Sequence, residues 1–145
     1  MSKINFDTVE LTQALVKCQS VTPNDGGALQ IVEEHLKNLG FKCTRLPFSK
    51  DGFDDVDNLF ANIGKSGKHL AFAGHTDVVP PGNVESWKYS PFSATIDNGK
   101  IYGRGVEDMK GSIACFISAT NFFIKKYGSD FGGQLSFIIT GDEEK

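Results

Sequence analysis

Leu70-Ala71-Phe72-Ala73-Gly74-His75-Thr76-Asp77 is the stretch on which the reading of this chain turns. Its apolar run predicts a short strand over residues 69–73. That strand delivers a histidine and a carboxylate to a sheet edge. On a strand, residues two apart point to the same side. His75 and Asp77 can therefore act together, one imidazole nitrogen on a metal and the other held by the carboxylate. Two further acidic positions follow, Asp108 and the run Asp142-Glu143-Glu144. Together these groups suggest a carboxylate-rich zinc site.

Outward from this stretch, apolar strands alternate with amphipathic helices. Asp7 and Glu10 have the spacing of a capping box and predict a first helix running to about Cys18. Residues 21–27 read as a loop. Leu29, Val32, Leu36 and Leu39 form one stripe of a second helix, and Gly40 is placed to end it as a left-handed cap. Residues 41–46 alternate as a strand, and residues 59–63 form another. A long loop begins at Pro80-Pro81-Gly82 and runs through Trp87 to Pro91. Asn98-Gly99 predicts a hairpin between 94–97 and 100–102. A third helix is expected from about Met109 to Tyr127, with Ile113, Phe116, Ile117, Thr120, Phe123 and Ile124 as its stripe. Residues 134–140 read as a buried strand. There is no internal repeat and no linker, so the pattern is that of one α/β layer fold. Both polar clusters, at His75 and at Glu143, follow strands, and ligand sites in α/β sheets favour such carboxyl ends.

The 145 residues suffice for one domain with a core, 39% of them are hydrophobic, and the net charge is −3. No basic stripe exists to hold nucleic acid. Residues 1–7 lack an apolar signal core, and no run approaches a membrane span. Cys18, Cys43 and Cys115 are dispersed without Cys-x-x-Cys spacing, which suggests reduced thiols in the cytoplasm. Cys43 and Cys115 sit in apolar patterns and are expected in the core.

Each candidate residue has a plainer alternative. His35 and His69 read as ordinary surface or core histidines. His75 stands apart because Gly74 precedes it and Asp77 follows at strand spacing, although His-x-Asp also arises by chance. Asp108 precedes the third helix and could serve as its N-cap as well as a metal ligand. Glu107 reads as a solvated first-turn residue. Arg104 is either an anion ligand or the structural pair of a nearby acid. Asp142-Glu143-Glu144 could be a solvated acidic turn. Its place after a buried strand favours a site instead, with one glutamate on a metal and its neighbour as general base.

Three motifs occur in order: Gly74-His75-Thr76-Asp77-Val78-Val79-Pro80, Gly103-Arg104-Gly105 through Asp108-Met109-Lys110-Gly111, and Thr140-Gly141-Asp142-Glu143-Glu144. In these the chain resembles the M20 family of dinuclear zinc amidohydrolases and peptidases. Ser20-Val21-Thr22-Pro23, the loop through Trp87 to Ser90-Pro91-Phe92, and Gly111-Ser112-Ile113-Ala114 add to the likeness. It covers essentially the whole chain.

The resemblance implies that His75 ligates one zinc, Asp108 bridges two, and Glu144 ligates the second. It implies that Asp77 orients the imidazole and that Glu143 is the general base on the attacking water. Cobalt or manganese would suit a similar ligand set. The substrate would be a small N-acyl amino acid, and the complete enzyme would be a homodimer. Two positions depart from the family pattern: Lys145 stands where glycine is usual, and Val106 where alanine is. The family's remaining zinc ligands and its lid or dimerisation domain lie further along the chain than residue 145. Residues 1–145 are therefore expected to be the N-terminal part of a partial three-layer catalytic domain, inactive alone. The same motifs would suit another deacylase of that family, such as an acetylornithine deacetylase or aminoacylase. A non-catalytic chain that binds metal weakly or self-associates is the reading from another class.

Overall fold

A computed structural model describes residues 6–144. Lys145, one of the two departures from the family pattern, and residues 1–5 of the stretch read as lacking a signal core lie outside that range.

The first helix, α1, spans Thr8–Lys17, and the Asp7 carboxylate accepts the N–H groups of Val9 and Glu10 at 2.9 and 3.0 Å. This satisfies two donors that the helix start would otherwise leave open. Helix α2 spans Ala28–Asn38 and buries Leu29, Val32 and Leu36. Gly40 takes a φ of +88° just past its end, the left-handed stop its position predicted. Strand β1 is Lys42–Arg45, β2 is Asn58–Gly64 and β3 is Lys68–His75. The small hairpin is β4, Thr95–Asp97, and β5, Lys100–Tyr102, with positive φ at both Asn98 and Gly99. Two successive positive φ values match the twist of a two-residue hairpin. Helix α3 spans Gly111–Tyr127, and strand β6 spans Gly133–Thr140.

The main sheet has the order β1-β2-β6-β3. β6 is antiparallel to β2 and parallel to β3, with His75 opposite Thr140. Both strands thus finish side by side, and the segments that leave them share one edge. Along β2, Leu59, Ala61 and Ile63 face inward and alternate with half-buried residues. They meet Phe137 and Ile139 of β6, Leu15 of α1, Leu29, Val32 and Leu36 of α2, and Ile113 and Ile117 of α3 in one buried cluster. All three helices therefore cover the same sheet face. The opposite face carries Phe60, Asn62, Ser136 and Ile138, the last 49% exposed. These residues supply the sheet and one helical layer of the expected α/β architecture.

Two expectations are corrected. Cys115 is exposed, not in the core. In α3 the inward residues are Ile113, Ala114 and Ile117, and Cys115 is turned to the outer side of the same helix. The second concerns the start of α3. Residues Val106–Lys110 form a wide turn, and Asp108 has non-helical φ/ψ of −117° and 101°. Helix α3 begins at Gly111 without a side-chain cap, so Asp108 is not its N-cap. Cys18, Cys43 and Cys115 are all free thiols. Among the described residues no helix is long and apolar enough to cross a membrane.

Candidate metal centre

Strand β3 ends at His75, which places the imidazole at the sheet edge, buried to 6% exposure. Its Nδ1 lies 3.1 Å from the Asp77 carbonyl oxygen and 3.5 Å from Asp77 Oδ1. A carbonyl oxygen only accepts, so Nδ1 carries the proton and Nε2 faces outward. Nε2 is 3.0 Å from Asp108 Oδ1 and 3.8 Å from Glu143 Oε2. Burial acts to lower the His75 pKa, but the Asp77 carbonyl, the Asp108 carboxylate and the charges of Asp77 and Glu143 outweigh it. The net direction is upward from the ordinary histidine value.

Asp77 is fully buried. Its Oδ2 accepts the N–H groups of both Glu143 and Glu144, each at 2.9 Å. Its Oδ1 is buried without a hydrogen-bond partner, nearest to the imidazole. Sequence spacing predicted that the Asp77 carboxylate holds the imidazole. The hydrogen bond comes instead from the Asp77 backbone carbonyl, with Oδ1 at 3.5 Å, and the carboxylate's own hydrogen bonds go to the backbone of the acidic turn.

Asp108 reaches the site because of the backbone before it. Gly105 has a φ of +80°, and a Cβ there would lie 2.5 Å from Val78 Cγ1. Only glycine lets the turn pass this close to the segment after β3. Lys110, fully buried, donates from Nζ to the Cys18 carbonyl oxygen at 2.8 Å. Burial lowers its pKa to about 8. The residues after α1 hold the other two segments. Ser20 Oγ donates to the Thr76 carbonyl at 2.6 Å, Val78 N–H donates to the Ser20 carbonyl at 2.9 Å, and Thr22 Oγ1 donates to Asp142 Oδ1. None of these long-range bonds was legible from spacing.

His75, Asp108 and Glu144 thus each offer one ligand atom, and these atoms lie within 4.8 Å of one another. Among the described residues no lysine or arginine pairs with Asp77, Asp108, Glu143 or Glu144. An imidazole nitrogen beside carboxylate oxygens, with the second nitrogen held by a backbone carbonyl, is a donor set that suits a divalent metal ion. The residues present fit a cation. His69 and His35 play no part here. His69 Nε2 meets Ser136 Oγ at 2.8 Å, and His35 packs edge-on against Phe6 with ring centroids 5.4 Å apart. Glu107 is exposed as expected, but it lies in the turn before α3 and not in the first turn of that helix.

A helix-covered mixed sheet with a His/Asp/Glu cluster at its strand ends is the scaffold of a metal-dependent hydrolase class. Residues 71–145 match the family model described as peptidase family M20/M25/M40, and the chain belongs to that family. It is similar to the succinyl-diaminopimelate desuccinylase of Methylorubrum extorquens (strain PA1), 53% identical over 134 residues. That match takes in 92% of this chain and 35% of the relative. The chain spans about a third of the length of the curated relatives it matches. In fold it is similar to human carnosine dipeptidase 1, with a TM-score of 0.82 and 23% identity over 94% of this chain and 32% of that one. It is also similar to the M20 family metallo-carboxypeptidase Sso-CP2 from Sulfolobus solfataricus, with a TM-score of 0.81, 25% identity, and coverage of 95% and 31%.

Proposed function

We propose that this chain is the N-terminal part, residues 1–145, of the zinc-binding catalytic domain of a succinyl-diaminopimelate desuccinylase. The reaction is hydrolysis of N-succinyl-LL-2,6-diaminopimelate to succinate and LL-diaminopimelate. The observation that carries the reading is the convergence of His75, Asp108 and Glu144 within 4.8 Å, with the Glu143 carboxylate 3.8 Å from the same imidazole. Identity of 53% to a relative so named supports the choice of substrate. The three free thiols are what a reducing cytoplasm maintains.

His75, Asp108 and Glu144 would hold zinc. When bound, the metal supplies Lewis-acid polarisation of the amide carbonyl and a lowered pKa for water. Asp77 holds the imidazole with Nε2 outward and fixes the backbone of the turn that carries Glu143. Glu143, the exposed partner of the pair, takes a proton from the attacking water and returns it to the leaving amine. Three ligands are few for two ions, so residues 1–145 alone are expected to release no succinate.

The test separates holding from proton transfer. Zinc titration calorimetry on the chain should show Glu143→Gln binding like the wild type and Asp108→Ala binding at least about tenfold more weakly. In a polypeptide carrying these residues at the relatives' full length, Glu143→Gln should cut succinate release by about a hundredfold or more. Loss of zinc in Glu143→Gln would overturn the base assignment. Unchanged zinc affinity in Asp108→Ala would remove Asp108 from the ligand set.

A further inference from the structure

The chain has two arginines, and they are treated in opposite ways. Arg45 pairs with Glu33 at 2.8 Å and with Asp57 at 2.5 Å. The Arg104 side chain makes no hydrogen bond and no ion pair among the described residues, and its Nε is buried without a partner. Its guanidinium lies over the Trp87 ring, 5.3 Å from the centroid. Trp87 is itself anchored, its Nε1 donating to the Pro81 carbonyl at 2.9 Å. Arg104 lines a cleft of ≈ 620 Å³ together with Val79, Glu107, Asp108 and Glu144. The alternative of a structural pair for a nearby acid is therefore not realised, although acids line the same cleft. A fixed fork of guanidinium N–H donors thus faces a cleft with no acceptor assigned to it.

We propose that Arg104 binds a carboxylate of the substrate in this cleft, stacked on Trp87 and beside the metal ligands. The proposal rests on the hydrolase reading for its substrate, since N-succinyl-diaminopimelate carries carboxylates on both its acyl and amino-acid parts. The guanidinium fork matches a carboxylate with two parallel N–H···O bonds, and the aromatic ring fixes its plane. Glu107, on the same cleft and outside the metal cluster, repels an anion that approaches it, which favours the side of the cleft that carries Arg104. Arg104 is then a specificity residue: it sets how far the carboxylate end of the substrate lies from Asp108 and Glu144.

Trp87 is the single tryptophan, so its fluorescence reports on the guanidinium above it. The chain is titrated with succinate, with neutral succinamide and with diaminopimelate, once with zinc and once with chelator. A saturable emission change with succinate in both conditions, absent with succinamide, is the expected result. Saturation by diaminopimelate alone assigns the amino-acid carboxylate instead and equally supports a carboxylate site. Arg104→Ala should weaken the response at least about tenfold, and Arg104→Lys by a smaller factor because it lacks the fork. Circular dichroism checks that the variants fold; if Arg104→Ala does not, Arg104→Lys and the succinamide comparison decide. No saturable change, an equal change with succinamide, or an unaltered titration in a folded variant overturns the proposal. Zinc calorimetry on the same samples keeps the two readings apart. Absent zinc binding removes the hydrolase reading and leaves the chelator titration intact, whereas normal zinc binding without a carboxylate response removes Arg104 alone.

Discussion

The two ends of the β3–β6 ladder are built by opposite means. At the end where Lys68 faces Gly133, the chain relies on glycine turns and backbone pairing, and Lys68, His69 and Leu70 are exposed. At the end where His75 faces Thr140, the next residues, Thr76, Asp77 and Val78, are fully buried. Backbone alone does not hold them. Ser20 binds the Thr76 carbonyl, Thr76 N–H reaches the Thr140 carbonyl at 2.9 Å, and Asp77 binds the turn after β6. The first end can change its side chains at little cost. The second depends on a buried aspartate whose Oδ2 fixes the turn after β6 and whose backbone carbonyl meets the imidazole, and that dependence is what aligns histidine and glutamates.

Asp77→Ala should break this contrast most severely. It leaves the N–H groups of Glu143 and Glu144 without their acceptor, two bonds to a charged group in a buried place. We expect a loss of about 4 kcal/mol in urea denaturation without metal. Zinc affinity should fall about 10–100-fold, because the imidazole loses the neighbouring carboxylate charge and the turn that carries Glu144 loses its anchor. Lys68→Ala, at the other end, should stay within about 0.5 kcal/mol. Comparable losses from both variants would show that the ends do not differ.

A pair of glycines sharpens the same comparison. Gly105→Ala drives a methyl to 2.5 Å from Val78 Cγ1 at a positive φ, and should cost about 3 kcal/mol in thermal or chemical denaturation. Gly132, before β6, has a φ of +68° and open space around its Cβ position. Gly132→Ala should cost only the backbone strain, about 1 kcal/mol. Equal losses would mean that the approach of the 103–110 segment to Val78 contributes nothing.

Most of the local architecture was legible because its causes are local. Asp7 and Glu10 mark α1, Gly40 ends α2, and Asn98-Gly99 makes the hairpin, each through its own backbone preferences. The convergence of His75, Asp108 and Glu144 was legible through their motifs, and the parallel pairing of β3 with β6 brings two of the three segments together. What stayed hidden is the set of contacts between residues far apart in sequence. Thr22 with Asp142, Ser20 with Thr76, and Lys110 with Cys18 leave no period or spacing to read. Cys115 misled for a related reason. Its apolar neighbours predicted burial, whereas the phase of α3 against the sheet, a property of the assembled layers, decides which side is covered.

Lys110 provides the last way to test the contrast, through pH. Its ammonium is fully buried under the site, and burial lowers its pKa to about 8 from the ordinary 10.5. Between these values the unfolded chain binds more protons at this position than the folded one. Stability therefore rises with pH across the window from about 8 to 10.5. The gain attributable to Lys110 is about 3 kcal/mol, the free-energy equivalent of the difference between the two values. Below about pH 8 both states are protonated and the full cost of burying the charge is present. Lys88, on the exposed loop before the hairpin, pairs with Asp97 at 2.8 Å, and its pKa is raised by that hydrogen bond. Its contribution is intact up to the unfolded value and changes nothing inside the window. Urea denaturation at a series of pH values should thus show a smaller rise in Lys110→Met than in the wild type, while Lys88→Met follows the wild-type profile. If Lys110→Met keeps the full wild-type rise, the ammonium is solvated in the folded protein, and the buried scaffold assigned to this end of the ladder does not include it.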